Sequence, residues 1–408
     1  MRLQESTSGN GSSNARFSYL NHLMCSVCHQ PYDADQIHTI SPCCSRPLLA
    51  QYDLTALKQH ITREELTQRE ATMWRYHELL PIREQEHIQG LGEGMTPLLP
   101  APRLAPQGLE HARLLVKDEG QNPTGSFKAR GMAAAVSRAV ELGARGVVTP
   151  TAGNAGAAIA AYAARAGIPA YVVAPEDAPQ SCIQQARLYG AEVKLIPGLI
   201  SDAGRIAAEV AQERDWFNVA TLREPYRVEG KKTMGLELAE QLNWRLPDAI
   251  IYPAGGGTGL IGMWKVFTEL CALDWLQTTH LPRMILVQAE GCAPLVRAFQ
   301  EGKDEAEAWT AQDAHTKAAG LRVPSAIGDR LMLQAVRESG GTALSVSDDS
   351  MKEMMHYAAQ REGMLIALEA AATLAAYHIL LTTHFLKPED EVVAFFTGSG
   401  LPDILTGS

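Results

Sequence analysis

The 408-residue sequence lacks an excess of positive charge. It contains 36 lysines and arginines against 46 aspartates and glutamates, which gives a formal net charge of −10. Because the overall field of such a chain repels polyanions, neither a nucleic acid nor an anionic membrane surface is an expected partner. A phosphate group bound by this protein must therefore be held by a local site.

The sequence also lacks a long uninterrupted apolar run. The longest stretch, residues 366–381, is interrupted by Glu369, Tyr377 and His378 and is too short for a convincing membrane span. The polar N-terminus, MRLQESTSGNGSSNARF, has no apolar signal-peptide core and is interpreted as a frayed tail, with a transit peptide as the alternative. Seven cysteines, an odd number, favour a reducing compartment. We therefore expect a cytoplasmic protein without a membrane partner.

Two kinds of segment alternate from about residue 97 onward. Short β-branched segments, such as 114–117, 146–150 and 170–174, alternate with alanine-rich helical segments, such as 127–142 and 155–166. Strands about 25 residues apart with helices between them are typical of βαβ units and a mainly parallel sheet. The length allows two domains with separate cores and a small additional module.

The first of three glycine-containing turns is NPTGSFKARG, residues 122–131. Asn, Pro, Thr and Gly form a tight turn, Ser126 can cap the next helix, and Lys128 then falls in the first helical turn. The positive end of the helix dipole disfavours a cation at that place, and with partial burial it lowers the pKa of a lysine, as Schiff-base chemistry requires. From spacing alone, a solvated lysine at a helix start is equally acceptable.

Two further turns follow predicted strands. In TAGNAG, residues 151–156, small residues allow the backbone to approach a flat ligand and Asn154 offers a donor and an acceptor, although a simple helix cap has the same pattern. In PAGGGTGL, residues 253–260, consecutive glycines expose backbone N–H groups at a helix start and Thr258 adds a hydroxyl, so a phosphate is the expected ligand. The loop matches neither the lysine-bearing nucleotide loop nor G-x-G-x-x-G well, which disfavours an ATP or NAD site.

In this order the three turns resemble the pyridoxal-phosphate (PLP) enzymes of fold type II, the tryptophan synthase β-subunit family, over about residues 95–402. The resemblance implies an α/β protein with two domains, whose mainly parallel twisted sheets are flanked by helices. It also implies that Lys128 forms the Schiff base with PLP, that Asn154 binds the 3′-oxygen, and that Thr397, in FFTGSGLPD, faces the pyridine nitrogen. The other implied cofactor-binding residues are Phe127, Gly255, Gly256, Gly257, Thr258 and Gly259.

Within that family the chain is most similar to threonine synthases, which are PLP-dependent carbon–oxygen lyases. The segment EPYRVEGKKT, residues 224–233, resembles the one that presents an arginine and a lysine to the substrate phosphate, so Arg227 and Lys232 are the implied phosphate-binding residues. A solvated helix start is the alternative for both. The resemblance implies conversion of O-phospho-L-homoserine and water to L-threonine and phosphate, with Lys128 as the mobile base. The residues implied to hold the substrate carboxylate are Thr151, Gly153 and Asn154.

Two departures from the family pattern leave the substrate open. Ala129 follows the lysine where many members have Asp, and Ala367-Leu368-Glu369 stands where a Pro-Glu pair is common. The alternatives are a threonine or serine dehydratase and a phosphoserine-dependent β-replacement enzyme similar to cysteate synthase. A non-catalytic binding protein of the same fold is a third hypothesis, which the complete lysine, asparagine and glycine-loop set disfavours.

The resemblance also predicts a domain organisation and a small-molecule partner, an amino-acid phosphate. Residues 1–50 are expected to hold the N-terminal tail and a ribbon-like cysteine module, and residues 51–145 a helical lead-in and the first part of the PLP-binding large domain. Residues 146–228 are expected to form a smaller α/β domain, and residues 229–408 the remainder of the large domain. Enzymes of this fold usually dimerise, so a homodimer is expected.

Four of the seven cysteines lie close together near the N-terminus, at Cys25, Cys28, Cys43 and Cys44. The pattern resembles the small zinc ribbon found on many threonine synthase relatives, and it would serve a structural zinc. The second pair reads S-P-C-C-S, so Ser41 stands where a ligand is expected. Either both adjacent cysteines bind a metal, or His29 or His38 replaces one of them, or the ribbon is metal-free.

Overall fold

The computed structural model describes residues 16–310 and 312–401. The predicted N-terminal tail up to residue 15, Ala311 and the last residues from 402 lie outside the described residues. The strands are, in chain order, β1 (Leu20–Cys25), β2 (Pro31–Asp33), β3 (Leu48–Tyr52), β4 (Leu98–Pro100), β5 (Arg113–Asp118), β6 (Val147–Pro150), β7 (Ala170–Pro175), β8 (Glu192–Ile196), β9 (Phe217–Asn218), β10 (Ala249–Pro253), β11 (Arg283–Ala289), β12 (Thr342–Val346) and β13 (Glu391–Phe396).

The helices connect these strands and cover the faces of the sheets. They are, in chain order, α1 (Leu54–His60), α2 (Arg63–Leu66), α3 (Lys128–Glu141), α4 (Asn154–Ala166), α5 (Gln180–Leu188), α6 (Ile200–Arg214), α7 (Tyr226–Gln241), α8 (Thr258–Ala272), α9 (Pro294–Gln300), α10 (Asp329–Glu338), α11 (Asp348–Glu362) and α12 (Leu368–Thr382). In the part of the chain that the structure describes, none of these helices combines the length and the apolar character that a bilayer crossing requires.

The described strands form three sheets. The largest has six strands in the order β12-β11-β10-β13-β5-β4, all parallel except β4, which pairs with β5 in the antiparallel sense. A second sheet has four parallel strands in the order β8-β7-β6-β9. The third, in the order β2-β1-β3, is antiparallel and contains Cys25 at the end of β1. The predicted α/β class with a small cysteine-containing leader is confirmed.

The central strands are apolar on both faces because helices cover both sides of each parallel sheet. All residues of β7, β10 and β13 are buried. Their sequences are nearly continuous apolar runs, AYVVAP, AIIYP and EVVAFF. This composition allowed them to be predicted as strands from the sequence. The helix α4 that follows β6 is rich in alanine, and it ends where Gly167 adopts a left-handed φ of 67°.

The sequence expectations fail where a segment has no clear periodicity. The charged segment before residue 91 was expected to be largely helical, but it contains only the short helices α1 and α2 and two 3-10 segments, Met73–Leu79 and Gln85–His87.

The two sheets of parallel strands are built from different ranges of the sequence. Strands β6 to β9 all lie within the range expected for the smaller domain, residues 146–228, whereas the six-stranded sheet takes its strands from both sides of that range. The predicted domain ranges themselves remain a prediction.

Candidate active site

The predicted site residues meet at the carboxyl ends of the parallel strands, where open α/β sheets bind their ligands. Thr151 follows β6, the glycine loop follows β10, and Thr397 follows β13. They surround a cavity of about 980 Å³. The predicted residues that line it are Phe127, Lys128, Thr151, Gly153, Asn154, Arg227, Gly255, Gly256, Gly257, Thr258 and Thr397.

Lys128 is the first residue of α3 and reaches the cavity beside Phe127. Its Nζ lies 4.0 Å from the centroid of the Phe127 ring. Burial lowers the pKa of Lys128 to about 7, and the positive charge of Arg227 acts in the same direction, while Glu369 opposes them. The pKa is lowered, as the sequence predicted, although the causes are burial and the Arg227 charge, whereas the prediction relied on the helix dipole with partial burial. A neutral amine at this place can act as a nucleophile and as a base near neutral pH.

The glycine loop forms a backbone cradle at the start of α8. Gly257 has a left-handed φ of 75°, and a Cβ at this position would overlap the sulfur of Met332. A Cβ at Gly255 would overlap the carbonyl oxygen of Gly320. Because α8 begins at Thr258, the preceding N–H groups and the helix dipole favour an anion here. The loop therefore fits a phosphate group.

Gly259 was expected in this cradle but does not line the cavity. A Cβ there would overlap the hydroxyl of Tyr252, a side chain buried in the core. The glycine therefore permits close packing between α8 and β10, and contact of its N–H with a ligand remains a prediction.

Asn154 begins α4, and its side-chain amide is oriented by Cys182. The Cys182 thiol lies 3.3 Å from Oδ1 of Asn154 and donates to it. The amide Nδ2 lies on the side of the C-terminal strand end, 3.6 Å from the point where a Cβ of Gly398 would be. The neighbouring Thr397 carbonyl accepts a hydrogen bond from the Phe127 N–H at 3.0 Å, which joins this strand end to the lysine turn. Sequence reasoning missed Cys182, because nothing near it in the sequence indicates this contact.

Arg227 lies in the first turn of α7 and is 2% exposed. One guanidinium nitrogen donates to the Val219 carbonyl at 2.9 Å, while Nε is buried with no hydrogen-bond partner among the described residues. Burial lowers the pKa of Arg227, against the attraction of Glu224. The Glu224 carboxylate accepts hydrogen bonds from the backbone N–H of Tyr226 at 2.7 Å and of Arg227. Burial raises the pKa of Glu224 to about 7.

Lys232, the predicted partner of Arg227, is not brought into the cavity. Its Nζ lies 2.7 Å from Glu229 and 2.9 Å from Glu269, and the side chain is fully buried. Five positions separate it from Arg227, whereas helix residues share a face when they are three or four apart. The assignment of Lys232 to the substrate phosphate is therefore corrected to a buried ion-pair role.

Lys231 lies on the Arg227 face of the helix, four positions after it. Its Nζ donates to the Lys128 carbonyl at 3.2 Å and lies 4.9 Å from the Phe127 ring centroid. Burial lowers the pKa of Lys231 well below the ordinary lysine range, and the charges of Arg227 and Lys128 add to this effect. Helical periodicity could have distinguished Lys231 from Lys232 in the sequence.

The cavity is basic, although the protein is acidic. Among the described residues that line it, Glu369 is the only carboxylate, and it accepts a hydrogen bond from the Gly320 N–H at 2.6 Å. The basic residues that line the cavity are Lys128, Arg205, Arg223, Arg227, Lys317 and Arg322. Such a local excess of positive charge favours an anionic ligand, as the chain's net charge of −10 required of any phosphate site. Glu369 belongs to the segment Ala367-Leu368-Glu369, which differs from the Pro-Glu pair common in the family. This difference from the family pattern therefore lies at the site.

A buried ionic network supports the lysine turn from behind. Arg130 is bonded to Glu119 at 2.6 Å and 2.7 Å and to Glu237 at 2.8 Å, and all three side chains are fully buried. Lys117 of β5 also pairs with Glu237, at 3.0 Å. The network joins the start of α3 to β5 and α7, so it fixes the backbone that presents Lys128.

The four predicted metal-ligand cysteines lie together. The sulfur atoms of Cys25, Cys28, Cys43 and Cys44 are all within 4.8 Å of one another. Ser41 does not occupy a ligand position, because its hydroxyl hydrogen-bonds to the Cys25 sulfur at 3.2 Å and accepts from the Arg46 N–H. Four thiols this close to one another are a candidate ligand set for a structural metal ion.

The chain also matches known proteins in sequence and in fold. Residues 90–398 match the model of the family described as pyridoxal-phosphate dependent enzymes. The fold and the site thus define a PLP-dependent enzyme of fold type II. The chain belongs, more narrowly, to the threonine synthase family. It is 35% identical over 381 residues to a threonine synthase of Methanocaldococcus jannaschii, which covers 93% of this chain and 92% of the relative. It is 36% identical over 385 residues to one of Methanosarcina acetivorans, covering 94% and 92%.

Solved structures with other activities share the fold. A fungal L-serine ammonia-lyase from Rhizomucor miehei is 26% identical, with a TM-score of 0.61, and the match covers 74% of this chain and 93% of that one. A maize serine racemase, 23% identical with a TM-score of 0.63, covers 76% and 91% and shows the fold alone. The cysteine module precedes the matched family region, which begins at residue 90.

Proposed function

We propose that this protein converts O-phospho-L-homoserine and water to L-threonine and phosphate, using PLP as its cofactor. One observation carries the proposal: a lysine with a strongly lowered pKa and a buried arginine line the same basic cavity. The lysine is the group that PLP chemistry requires, and the arginine suits a second phosphate besides that of the cofactor. Membership of the threonine synthase family supports this assignment over the other activities of the fold.

The residues of the cavity fit PLP. Lys128 would hold its aldehyde carbon, and the cradle of Gly255, Gly256, Gly257 and Thr258 would hold its phosphate. Phe127 lies beside the Lys128 amine, Asn154 lines the same cavity, and the neutral hydroxyl of Thr397 would face the ring nitrogen. Bound PLP supplies an electron sink for carbanion chemistry at the substrate.

In this proposal the chain's own residues position the substrate and move its protons. The substrate carboxylate is held at the start of α4, where Thr151 and Gly153 accompany Asn154. The Lys128 amine removes the α-proton and then a β-proton, which its neutral form allows near neutral pH. The carbon–oxygen bond at the γ-carbon breaks and phosphate leaves with the electron pair, next to Arg227, which offsets its charge. Water adds its hydroxyl at the β-carbon, and reprotonation completes threonine.

A substrate panel tests this proposal against its alternatives. Purified protein reconstituted with PLP is supplied separately with O-phosphohomoserine, phosphoserine, threonine and serine. We expect threonine and phosphate in equal amounts from the first substrate. Ammonia with a 2-keto acid from threonine or serine would instead indicate a dehydratase, and phosphate from phosphoserine that depends on added sulfite would indicate β-replacement. No phosphate from O-phosphohomoserine would contradict the proposal.

Arg227 provides a specific prediction about the leaving phosphate. The variant Arg227→Met is expected to lower kcat/KM for O-phosphohomoserine about a hundredfold or more, because one charge that stabilises the leaving group is lost. Lys232→Met separates this role from helix stability, since Lys232 is buried on another face; it should lower the thermal midpoint while kcat/KM of the folded fraction changes little. Steady-state kinetics with unfolding scans measure both. Equal losses of kcat/KM in the two variants would contradict the assignment.

The pKa of Lys128 predicts how cofactor uptake depends on pH. The amine reacts with an aldehyde in its neutral form, so the rate of PLP uptake by the apoprotein should rise about tenfold per pH unit below about 7 and level off above that value. Rapid-mixing absorbance measurements across the pH range test this. A rate that continues to rise towards the ordinary lysine pKa of 10.5 would show that burial does not shift this group.

Cys182 is expected to act through Asn154. The variant Cys182→Ser keeps a hydrogen-bond donor next to Oδ1, whereas Cys182→Ala removes it and frees the amide to rotate. We expect Cys182→Ala to shift the visible spectrum of bound PLP and to lower kcat/KM about threefold to tenfold, a loss typical of a single hydrogen bond. Cys182→Ser should recover most of both. If serine and alanine give the same spectrum and rate, the thiol does not orient Asn154.

We further propose that the four cysteines hold a structural zinc ion. The grouping of the four sulfurs supports this, as does the absence of any His, Asp or Glu from the group among the described residues. Metal analysis should find one zinc per chain, and chelation should release it without removing PLP. Less than one zinc in the wild type, or an equal zinc content after Cys28→Ser, would contradict this proposal.

We propose, finally, a cytoplasmic homodimer that acts on a small amino-acid phosphate. The acidic composition and the seven cysteines support a cytoplasmic location. The dimer is supported because enzymes of this fold usually dimerise. Light scattering in solution and cell fractionation test the two statements. A monomer or a membrane-associated fraction would contradict them.

A further inference from the structure

The loop between the two cysteine pairs reaches the active-site cavity. Ile37, Thr39 and Ile40 line it together with Lys128 and Arg227, although the cysteine module is far from them in the sequence. Ile37 is 49% exposed, which is unusual for a large apolar side chain in the described residues. An isoleucine that faces an open ligand cavity gains apolar burial when the ligand binds.

A chain of side-chain contacts joins this loop to the thiol cluster. The hydroxyl of Tyr32 lies 3.2 Å from the sulfur of Cys43. The Tyr32 ring is packed edge-on against His38, with 5.6 Å between the ring centroids. His38 lies between Ile37 and Thr39, so the side chain that contacts the cluster also supports the cavity-lining part of the loop.

The cysteine module also contacts the helix that carries Arg227. The carbonyl of Ala34 accepts hydrogen bonds from Arg138 at 2.8 Å and from the hydroxyl of Tyr226 at 3.3 Å. Further along α7, the Lys232 ammonium lies 3.8 Å from the centroid of the Tyr52 ring at the end of β3. The module therefore contacts the first turn of α7, which presents Arg227, and the end of β3, just after the module, contacts α7 further along.

A second anchor fixes the other end of the module. Arg46, next to the second cysteine pair, pairs with Asp329 at 3.2 Å and with Glu305 at 2.5 Å. Asp329 begins α10, which packs against the glycine-loop helix through Met332. The two anchors lie on either side of residues 36–40, so they fix the ends of the loop that carries the cavity-lining residues.

We propose that the cysteine module is a substrate-positioning element of the active site. The thiol cluster, acting through Tyr32 and His38, holds Ile37 and Ile40 as an apolar wall against the carbon chain of the bound amino-acid phosphate. The proposal rests on the proposed function, because it concerns the substrate of that same cavity. It assigns to the module a role in substrate affinity, and not only in folding.

The first experiment removes the apolar wall. Ile37→Ala and Ile40→Ala are compared with Ile379→Ala, a matched isoleucine that is 40% exposed on α12 and outside the cavity. The two loop variants should raise KM for O-phosphohomoserine about threefold to tenfold, with kcat nearly unchanged, as expected when binding is lost equally before and during the reaction. The absorbance of bound PLP and the thermal midpoint should match the wild type. Ile379→Ala should leave KM unchanged.

The second experiment removes the support of the loop. In the double variant Cys28→Ser with Cys43→Ser, KM should rise in the same way and limited proteolysis should cleave the chain within residues 36–40, which remain protected in the wild type. If that variant does not fold, Tyr32→Phe deletes only the hydroxyl that contacts Cys43, and it should give a smaller rise in KM with the same new cleavage.

The results separate this proposal from the proposed function. If the wild-type protein makes no threonine from O-phosphohomoserine, the proposed function itself is contradicted. Wild-type turnover with an unchanged KM in both isoleucine variants overturns the role of the loop. The role of the thiol cluster is overturned by a third outcome. In that outcome KM rises in the isoleucine variants, but KM and the proteolysis pattern stay unchanged in both Tyr32→Phe and the cysteine variant.

Discussion

The variant Lys128→Ala is expected to lose at least about a thousandfold in kcat/KM on O-phosphohomoserine, together with the visible absorbance of lysine-bound PLP. Lys128 is the lysine that lines the cavity at the start of α3, next to Phe127, with a pKa lowered to about 7. Its loss removes both the covalent attachment of the cofactor and the base that moves the substrate protons.

Two controls make this prediction specific. Lys194→Ala changes an exposed lysine of β8 outside the cavity and should keep full activity and a normal spectrum. Lys317→Ala changes another cavity-lining lysine and should keep the spectrum, although it can weaken the binding of an anionic substrate. If Lys317→Ala, and not Lys128→Ala, abolished the visible band, the cofactor lysine would be misassigned.

Arg130→Met is expected to lower the free energy of unfolding by about 3–5 kcal/mol. The substitution leaves the carboxylates of Glu119 and Glu237 fully buried, and Lys117 remains to compensate only the second of them. Removing one member of a buried ionic network costs this much because the charges left behind remain out of water. Urea unfolding of the apoprotein, followed by circular dichroism, measures the change.

The control for Arg130 is an arginine with an exposed partner. Arg145 pairs with Asp215 on the surface, where the arginine side chain is 70% exposed, so Arg145→Met should change the unfolding free energy by no more than about 1 kcal/mol. Arg130→Met should also loosen the turn that presents Lys128, and the rate of PLP uptake should fall. Equal stability in the two variants would show that the buried network is not required.

The parts of the site that depend on local sequence could be predicted. The lysine turn and the two later glycine turns each combine a strand end, small residues and a helix start within about ten residues, and such short-range geometry is determined by the residues themselves. The parallel strands were equally visible, because they are buried on both faces and therefore apolar throughout. The three turns were identified as candidate ligand sites on these grounds, whereas the roles of Lys128 and Asn154 came from the family resemblance.

The assignment of Lys232 failed because the direction of a side chain around a helix depends on its position within the 3.6-residue turn. Arg227 and Lys232 were grouped because they are close in sequence, but five residues along a helix turn a side chain away from its neighbour. The periodicity of α7 favours Lys231 as the residue on the Arg227 face.

Contacts between distant segments left no signal in the sequence. Ile37 and Ile40 reach the cavity only because the cysteine module is anchored to α7 and α10, and Cys182 contacts Asn154 only because α5 packs beside α4. The Arg130 network likewise brings together side chains more than a hundred positions apart. Each depends on tertiary packing, which the residues around it do not specify.

In the proposed reaction the enzyme breaks a carbon–oxygen bond and not a phosphorus–oxygen bond. Turnover of O-phosphohomoserine in water labelled with heavy oxygen tests it directly. The account predicts that the label enters the β-hydroxyl of threonine, because water adds to carbon after phosphate has left, and that the released phosphate is unlabelled. Labelled phosphate with unlabelled homoserine would show simple phosphate-ester hydrolysis and would contradict the account.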